Sequence, residues 1–292
     1  IRIQTNGLKL ADFEFAKKLK EAGLTFCKFS LTSTDRKTHE ILTNNSDSYS
    51  KIIKAINNMK KLKVRIGNNI LITKYNYSKL DKIILKLLDI GISNFVVIYP
   101  IYTGNMLKNY KKLAIPLYKC RIYFKKSIEI MEKYNLSNEI LFLNVPPCFV
   151  ENKYHSNIIG IAKFNTVVSS PDMKHMDLDE NANSNKLKGA VCTNCIYYTK
   201  CPGIDREYLK IFGWKGIKAV TKNIEDNEKI YLSDDERCLI ELLKKNNHLS
   251  IDKILKLSKN IPLCQNCQDA NNIINAATKL SVKKIIKIEF KK

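Results

Sequence analysis

From Ile1 to Val145 the chain alternates short apolar runs with amphipathic stretches, and that alternation leaves few folds open. The apolar runs are Ile1–Thr5, Thr25–Leu31, Val64–Thr73, Asn94–Tyr99 and Glu139–Val145. Between them lie four helical patterns. Asp12–Ala22 places Phe13, Ala16, Leu19 and Lys20 at helical spacing and stops at Gly23. Ser48–Leu62 gathers Ile52, Ile53, Ile56 and Met59 on one face, Tyr77–Ile90 is closed by Gly91, and Pro116–Tyr134 follows. Strands joined through helices form parallel βαβ units, so the spacing predicts an α/β fold around a parallel sheet. The strands read as apolar on both faces, the usual pattern of parallel strands.

Beyond Val145 the pattern changes. Asn152–Gly189 reads as irregular and polar, Cys192–Gly216 as compact and rich in Cys, Gly and Tyr, and Lys222–Lys229 as a linker. The tail reads as helices Asp235–Lys245, Ile251–Ser258 and Asn271–Leu280, then a strand Lys284–Phe290, the order of a winged-helix-like module. Three domains are therefore expected, over 1–135, 136–221 and 230–292. No run of 18 uncharged apolar residues occurs, which excludes a membrane-spanning helix of the ordinary kind.

The net charge of +22 raises the question of nucleic acid, but only six of the 50 basic residues are Arg (2, 36, 65, 121, 206 and 237). Base readout and bidentate phosphate clamps favour Arg, and here Lys is scattered among Ile and Asn. The composition argues against nucleic acid as the main partner. A metal-stabilised binding protein whose basic tail contacts nucleic acid stands as the alternative reading.

Nine cysteines are present, at 27, 120, 148, 192, 195, 201, 238, 264 and 267. An odd number, several in tight groups, points to metal binding in a reducing, cytoplasmic setting rather than to a disulfide framework. Cys192-x2-Cys195-x5-Cys201 is the strongest local signal: three thiolates on a turn-rich stretch can converge on one metal or cluster, and Pro202-Gly203 lets the backbone wrap closely. Zinc and iron–sulfur clusters both accept such thiolates, and spacing alone does not separate them. Cys264-x2-Cys267 in the tail is a second possible metal or redox pair. The histidines at 39, 155, 175 and 248 form no spaced pair and read as local structure.

The first hundred residues resemble the radical S-adenosylmethionine (SAM) enzymes. The resemblance is carried by Thr5-Asn6-Gly7, the stretch through Leu24, the strand ending at Ser30, Thr38-His39-Glu40, Val64–Asn76, and Tyr99-Pro100 with Thr103-Gly104. Their order matches the third to sixth strands of that family's barrel. The resemblance implies a partial TIM-type (βα)6 barrel, with SAM lying across the carboxyl ends of its strands. Carried over by position, Ser30 and Asn69 meet the cofactor and the Asn6-Gly7 turn borders it. Several relatives place a carboxylate-holding Arg where this chain has Thr43, so that role must differ or fall to Arg65. Tyr99 lines the adenine or simply packs.

Residues 148–213 are similar to the auxiliary-cluster extension of those enzymes, in its SPASM or shorter twitch form. Cys148 and the 192–201 spacing match, but two ligand positions of the full pattern hold Asn165 and Asp205. The resemblance thus implies one auxiliary 4Fe-4S cluster, held by Cys192, Cys195, Cys201 and either Cys148 or Cys238. Cys148 is preferred because Pro146-Pro147 presents it rigidly.

The family's defining CX3CX2C motif, which holds the SAM-cleaving 4Fe-4S cluster, occurs nowhere in the chain, nor does its Gly-Gly-Glu motif. Both belong before Ile1. The expectation is a chain cut from a longer protein and inactive by itself; a degenerate, non-catalytic homologue is the other account. The complete enzyme would generate a 5′-deoxyadenosyl radical, use a reductant such as ferredoxin or flavodoxin, and modify a peptide, protein or small-molecule substrate.

Overall fold

The computed structural model describes residues 1–159, 167–169, 175–177, 184–221, 236, 239–240, 242–243, 246, 248–258, 270–282 and 286–287. Its residues divide into two compact units, 2–227 and 228–292.

The larger unit is built on one parallel sheet. Its strands are β1 (Arg2–Thr5), β2 (Phe26–Phe29), β3 (Arg65–Leu71), β4 (Asn94–Ile98), β5 (Ile140–Leu143) and β6 (Ile158–Ile159), paired in sequence order. Strand order that never reverses is the order of a barrel wall; a doubly wound sheet turns back at a switch point. The fold is thus α/β and consistent with a partial TIM-like barrel. The helices fall where periodicity places them: α1 (Phe13–Glu21), α3 (Ser48–Lys61), α4 (Leu80–Asp89) and α7 (Leu117–Lys133). Asp12 caps α1, its carboxylate accepting from Phe15 N at 2.9 Å. A further helix, α2 (Arg36–Thr43), is capped in the same way by Asp35. Two short helices, α5 (Gly104–Lys108) and α6 (Tyr110–Leu113), follow β4.

One sheet face carries the core. Cys27, Phe29, Ile66, Ile70, Phe95, Val97 and Phe142 pack with Ile52, Ile56 and Met59 of α3, Ile83, Ile84 and Leu87 of α4, and Phe124, Ile128 and Met131 of α7. The opposite face meets the expectation of strands apolar on both sides only in part: β4 and β5 set the buried Val96 and Leu141 there, while the other strands are largely polar. It presents Gln4, Lys28, Arg65, Asn69 and Asn94, whose alternation is set by the strand period of two. There Phe26 lies 6.0 Å from the Arg2 guanidinium and 5.5 Å from the charged groups of Lys28 and Arg65. Gly67 is required on this face: a Cβ would come within 2.8 Å of both Asn94 Oδ1 and Phe26 Cζ.

Buried asparagines organise the carboxyl edge. Asn68 is fully buried; its Nδ2 donates to Leu31 O at 2.9 Å and its Oδ1 accepts from Leu31 N at 3.0 Å. Asn76 Nδ2 donates to Thr32 O and Leu71 O, both at 2.8 Å, and its Oδ1 accepts from Thr73 N at 2.7 Å. Asn58 of α3 donates to Leu10 O and Ala11 O.

The stretch 152–189, expected to be irregular, contains a 3-10 turn (Asn152–Asn157), β6, the antiparallel pair β7 (Val167–Ser169) and β8 (His175–Asp177), and β9 (Lys186–Leu187). β9 pairs antiparallel with β10 (Ile204–Asp205), which leads into α8 (Arg206–Phe212). Strands this short carry too few residues to show a period. In the smaller unit, α9 (Ile251–Ser258) and α10 (Ala270–Val282) contribute Ile254, Ile273, Ala276 and Leu280 to a separate core with Leu239 and Leu242. Most of the expected strand 284–290 lies outside the described residues. No helix among the described residues is long and apolar enough to cross a membrane.

Replacing Asn68 with Leu strands a buried N–H and C=O of Leu31, at about 1–3 kcal/mol for each group left unsatisfied. Urea unfolding of Asn68→Leu is expected to show a loss of about 2 kcal/mol or more; an unchanged midpoint would mean that the loop finds other partners.

Candidate active site and metal centre

The residues expected to meet a cofactor sit where β1, β2 and β3 end. Thr5 Oγ1 accepts from Gly7 N at 3.0 Å, Asn6 Oδ1 accepts from Leu8 N at 3.2 Å, and Gly7 adopts φ +81. A Cβ on Gly7 would press on the Phe29 ring and Ile52, so this glycine serves the turn and the core beneath it. Ser30 N donates to Thr5 O at 3.1 Å, which continues the β1–β2 ladder one step past the strands. Alternation puts Ser30 on the face of Lys28 and Asn69. Asn69 Nδ2 donates to Gln4 Oε1 at 2.9 Å. Asn6 and Ser30 thus lie at one edge, Asn69 lies within β3 on the face of Ser30, and Gly7 packs over Phe29 and Ile52.

Other candidates are engaged elsewhere. Thr43 Oγ1 donates to His39 O at 2.9 Å and lies 2.6 Å from Ser48 Oγ. Arg65 opens β3, at the amino edge, where it reaches Glu139 at 3.5 Å; that places it away from the edge where a cofactor carboxylate would lie. Tyr99 donates its hydroxyl to Ile115 O at 2.6 Å within an aromatic group containing Tyr102 and Tyr208. His39 is buried, 3.2 Å from Thr32 Oγ1.

A second locus gathers the thiols. Cys148 sits in the 3-10 turn Pro147–Phe149 that follows β5. Cys192 ends the 3-10 turn Ala190–Cys192, Cys195 N donates to Cys192 O at 3.0 Å, and Cys201 N donates to Tyr197 O at 2.7 Å. Gly203 N lies 3.4 Å from Cys201 Sγ. Gly203, at φ +102, leaves no room for a Cβ against the Leu187 carbonyl, so only glycine lets β9 and the cysteine loop approach this closely. Cys148, Cys192, Cys195 and Cys201 line one cavity with Pro146, Pro147, Ile204 and Ile217. Burial pushes the Cys148 thiol up to about 12, with the neighbouring Cys201 and Cys192 adding to the shift. Burial likewise raises Cys201, whose neighbours include Cys195 and Cys192. Among the described residues, no three His, Cys, Asp or Glu side chains are grouped closely enough to hold a metal ion.

Asp205, at a ligand position of the auxiliary pattern, is instead the cap of α8, accepting from Tyr208 N at 3.0 Å. Cys238, Cys264, Cys267 and Asn165 lie outside the described residues. His155, read from the sequence as local structure, is buried between the two cysteine segments. Its Nε2 faces Pro147 O and Val150 O, and its Nδ1 is 2.9 Å from Tyr197 OH. No spacing signal marks it, since its partners are backbone carbonyls and a tyrosine 42 residues away.

A model of the radical SAM superfamily matches residues 1–87, from β1 through most of α4. This match and the consecutive parallel sheet support a radical SAM-type function, a class that uses SAM and a 4Fe-4S cluster and belongs to oxidoreductase-type chemistry. No curated protein matches the chain.

Two outcomes follow from burial. Cys27 and Cys120 are closed off from solvent and their thiols are raised by burial to about 12. In native protein at pH 8 they should resist iodoacetamide while Cys192 and Cys195 are alkylated, as read by mass spectrometry of peptides. His39 is lowered by burial against a smaller opposing pull from Glu40. A depressed histidine adds stability that is present above its unfolded value of about 6.5 and is lost as pH falls through its folded value. Unfolding free energy should therefore decline from pH 7 towards pH 5, and less steeply in His39→Gln; equal slopes would remove His39 as a cause.

Proposed function

We propose that this chain forms part of a radical SAM enzyme that carries one auxiliary 4Fe-4S cluster on Cys148, Cys192, Cys195 and Cys201. The observation that carries this reading is the arrival of four thiols, from two distant segments, on one largely apolar cavity within the unit that contains the parallel sheet. A single zinc ion needs its thiolates about 2.3 Å from one point. A polynuclear cluster spreads its thiolates around a larger core, and four thiols around one cavity are open to either. The donor set fits as well, because soft thiolates with no carboxylate among the cavity residues favour iron–sulfur over hard cations.

When bound, such a cluster supplies a one-electron store or an iron open to a substrate group. The chain's own residues prepare its place. Pro146 and Pro147 stiffen the approach to Cys148, and Gly203 brings the β9 strand against the cysteine loop. Ile204 and Ile217 contribute apolar wall beside the thiols. On the sheet, Ser30 and Asn69 offer polar groups on the inward face, and the Asn6-Gly7 turn shapes its rim. Asn6, Ser30 and Asn69 are the proposed SAM contacts, and Gly7 sets the turn that presents Asn6 to the cofactor. The CX3CX2C motif is absent from these residues, so radical generation belongs to an enzyme that includes it. A peptide or protein is the proposed substrate, from the likeness of residues 148–213 to peptide-modifying relatives, and a ferredoxin or flavodoxin the proposed reductant.

Anaerobic reconstitution with iron and sulfide tests the reading. The chain should take up about four iron and four sulfide and show a brown charge-transfer spectrum. Cys195→Ser and Cys148→Ser should lower the content and Cys120→Ser should leave it unchanged. Loss in Cys238→Ser but not in Cys148→Ser would reassign the fourth ligand. Zinc bound without iron would overturn the assignment.

A further inference from the structure

The four thiols come from two pieces of chain that share no strand pairing, so something must set the distance between Cys148 and the 192–201 loop. His155 stands between them and is 5 % exposed. Its Nε2 lies 3.0 Å from Pro147 O and 3.1 Å from Val150 O, the carbonyls on either side of Cys148. Its Nδ1 lies 2.9 Å from the hydroxyl of Tyr197, between Cys195 and Cys201. The two rings meet edge to face, with centroids 5.0 Å apart. The Tyr197 carbonyl in turn accepts from Cys201 N.

Carbonyl oxygens only accept, so the imidazole hydrogen must reside on Nε2, which donates to the Cys148 turn. Nδ1 is then a bare lone pair, and Tyr197 O–H donates to it. Burial favours the neutral ring, in agreement with one fixed tautomer. Each hydrogen bond has one possible direction, and together they run from the backbone around Cys148 through the imidazole to the cysteine loop.

We propose that His155 and Tyr197 form a clasp that positions Cys148 as a ligand to the same iron–sulfur cluster as Cys192, Cys195 and Cys201. This rests on the reading of the four thiols as cluster ligands. His155 is itself no ligand in it: both ring nitrogens are engaged with protein groups. Its role is the one that outer-shell partners play at metal sites, where their loss costs about ten- to a hundred-fold in metal affinity.

The test is the rate of iron release from the anaerobically reconstituted chain to a ferrous chelator, with the electron paramagnetic resonance spectrum of the reduced cluster recorded beside it. Tyr197→Phe removes one hydroxyl and keeps the ring; His155→Phe removes both connections. Both variants are expected to release iron about ten times faster or more and to show an altered resonance. Asn58→Ala serves as the control, since it breaks buried hydrogen bonds to Leu10 and Ala11 and should leave release and resonance unchanged. Unaltered release and spectrum in Tyr197→Phe would overturn the clasp, and so would equal acceleration by Asn58→Ala, which would reduce the effect to general stability. Should His155→Phe fail to fold, Tyr197→Phe decides. A parent chain that takes up no iron overturns the cluster reading and the clasp with it; a parent that loads iron while the variants behave like it overturns the clasp alone.

Discussion

Closure of the sheet's carboxyl edge by buried amides is the constraint on which the larger unit depends. Parallel strands end in loops whose backbone groups have lost their ladder partners, and those groups must be satisfied when buried. Asn68 replaces the missing partner by bonding both backbone groups of Leu31, and Asn76 does the same for Thr32, Leu71 and Thr73. The segment that begins at Ser30 is thereby fixed relative to β3. A carboxamide suits this task because it carries donor and acceptor in one plane, as the backbone does. An apolar residue of equal size would fill the space and leave the loop unpaired.

The same sheet separates two kinds of work by face and by end. Helices cover one face with Ile, Leu, Met and Phe, and burial there supplies the main driving force for folding. The other face mixes apolar residues such as Val96 and Leu141 with polar ones joined across strands, among them Asn69 to Gln4 and Asn94 to Glu139 at 2.7 Å. Along the strands, the cations around Phe26 and the Arg65–Glu139 pair occupy the amino end. The turn at Asn6-Gly7 and Ser30 occupy the carboxyl end, the functional end of barrels in general. An arginine at the amino end therefore stabilises the wall and stays away from the rim.

The cysteine locus follows a different rule. Short strands, 3-10 turns and glycine contacts shape it at the margin of the main core, and burial raises the Cys148 and Cys201 thiols. Buried thiols in such surroundings remain protonated until something that prefers thiolate takes them, so binding there releases protons. Asp205 shows how local structure claims a residue. At a position where the related pattern has a ligand, its carboxylate begins a helix instead.

The alternation of apolar and amphipathic runs determined five of the sheet's strands and the four long helices between and beside them, because each of those elements is long enough to display its own period. The spacing 192–195–201 marked three thiols as a unit for the same reason: they are close in sequence, so any compact turn brings them together. β6 and α2 escaped, one being two residues long and the other exposed on most of its surface. What tertiary structure alone decided is everything that joins distant residues. Asn68 and Asn69 are neighbours of one type, yet the strand pleat sends one to the Leu31 backbone and the other to the inward face. Cys148 meets the other three thiols only because the segment between β9 and β10 packs against the turn after β5, and His155, whose carbonyl partners are local, gains Tyr197 only through that packing. A sequence records which groups are available; the pairing of groups 40 residues apart is set by packing, which no local pattern encodes.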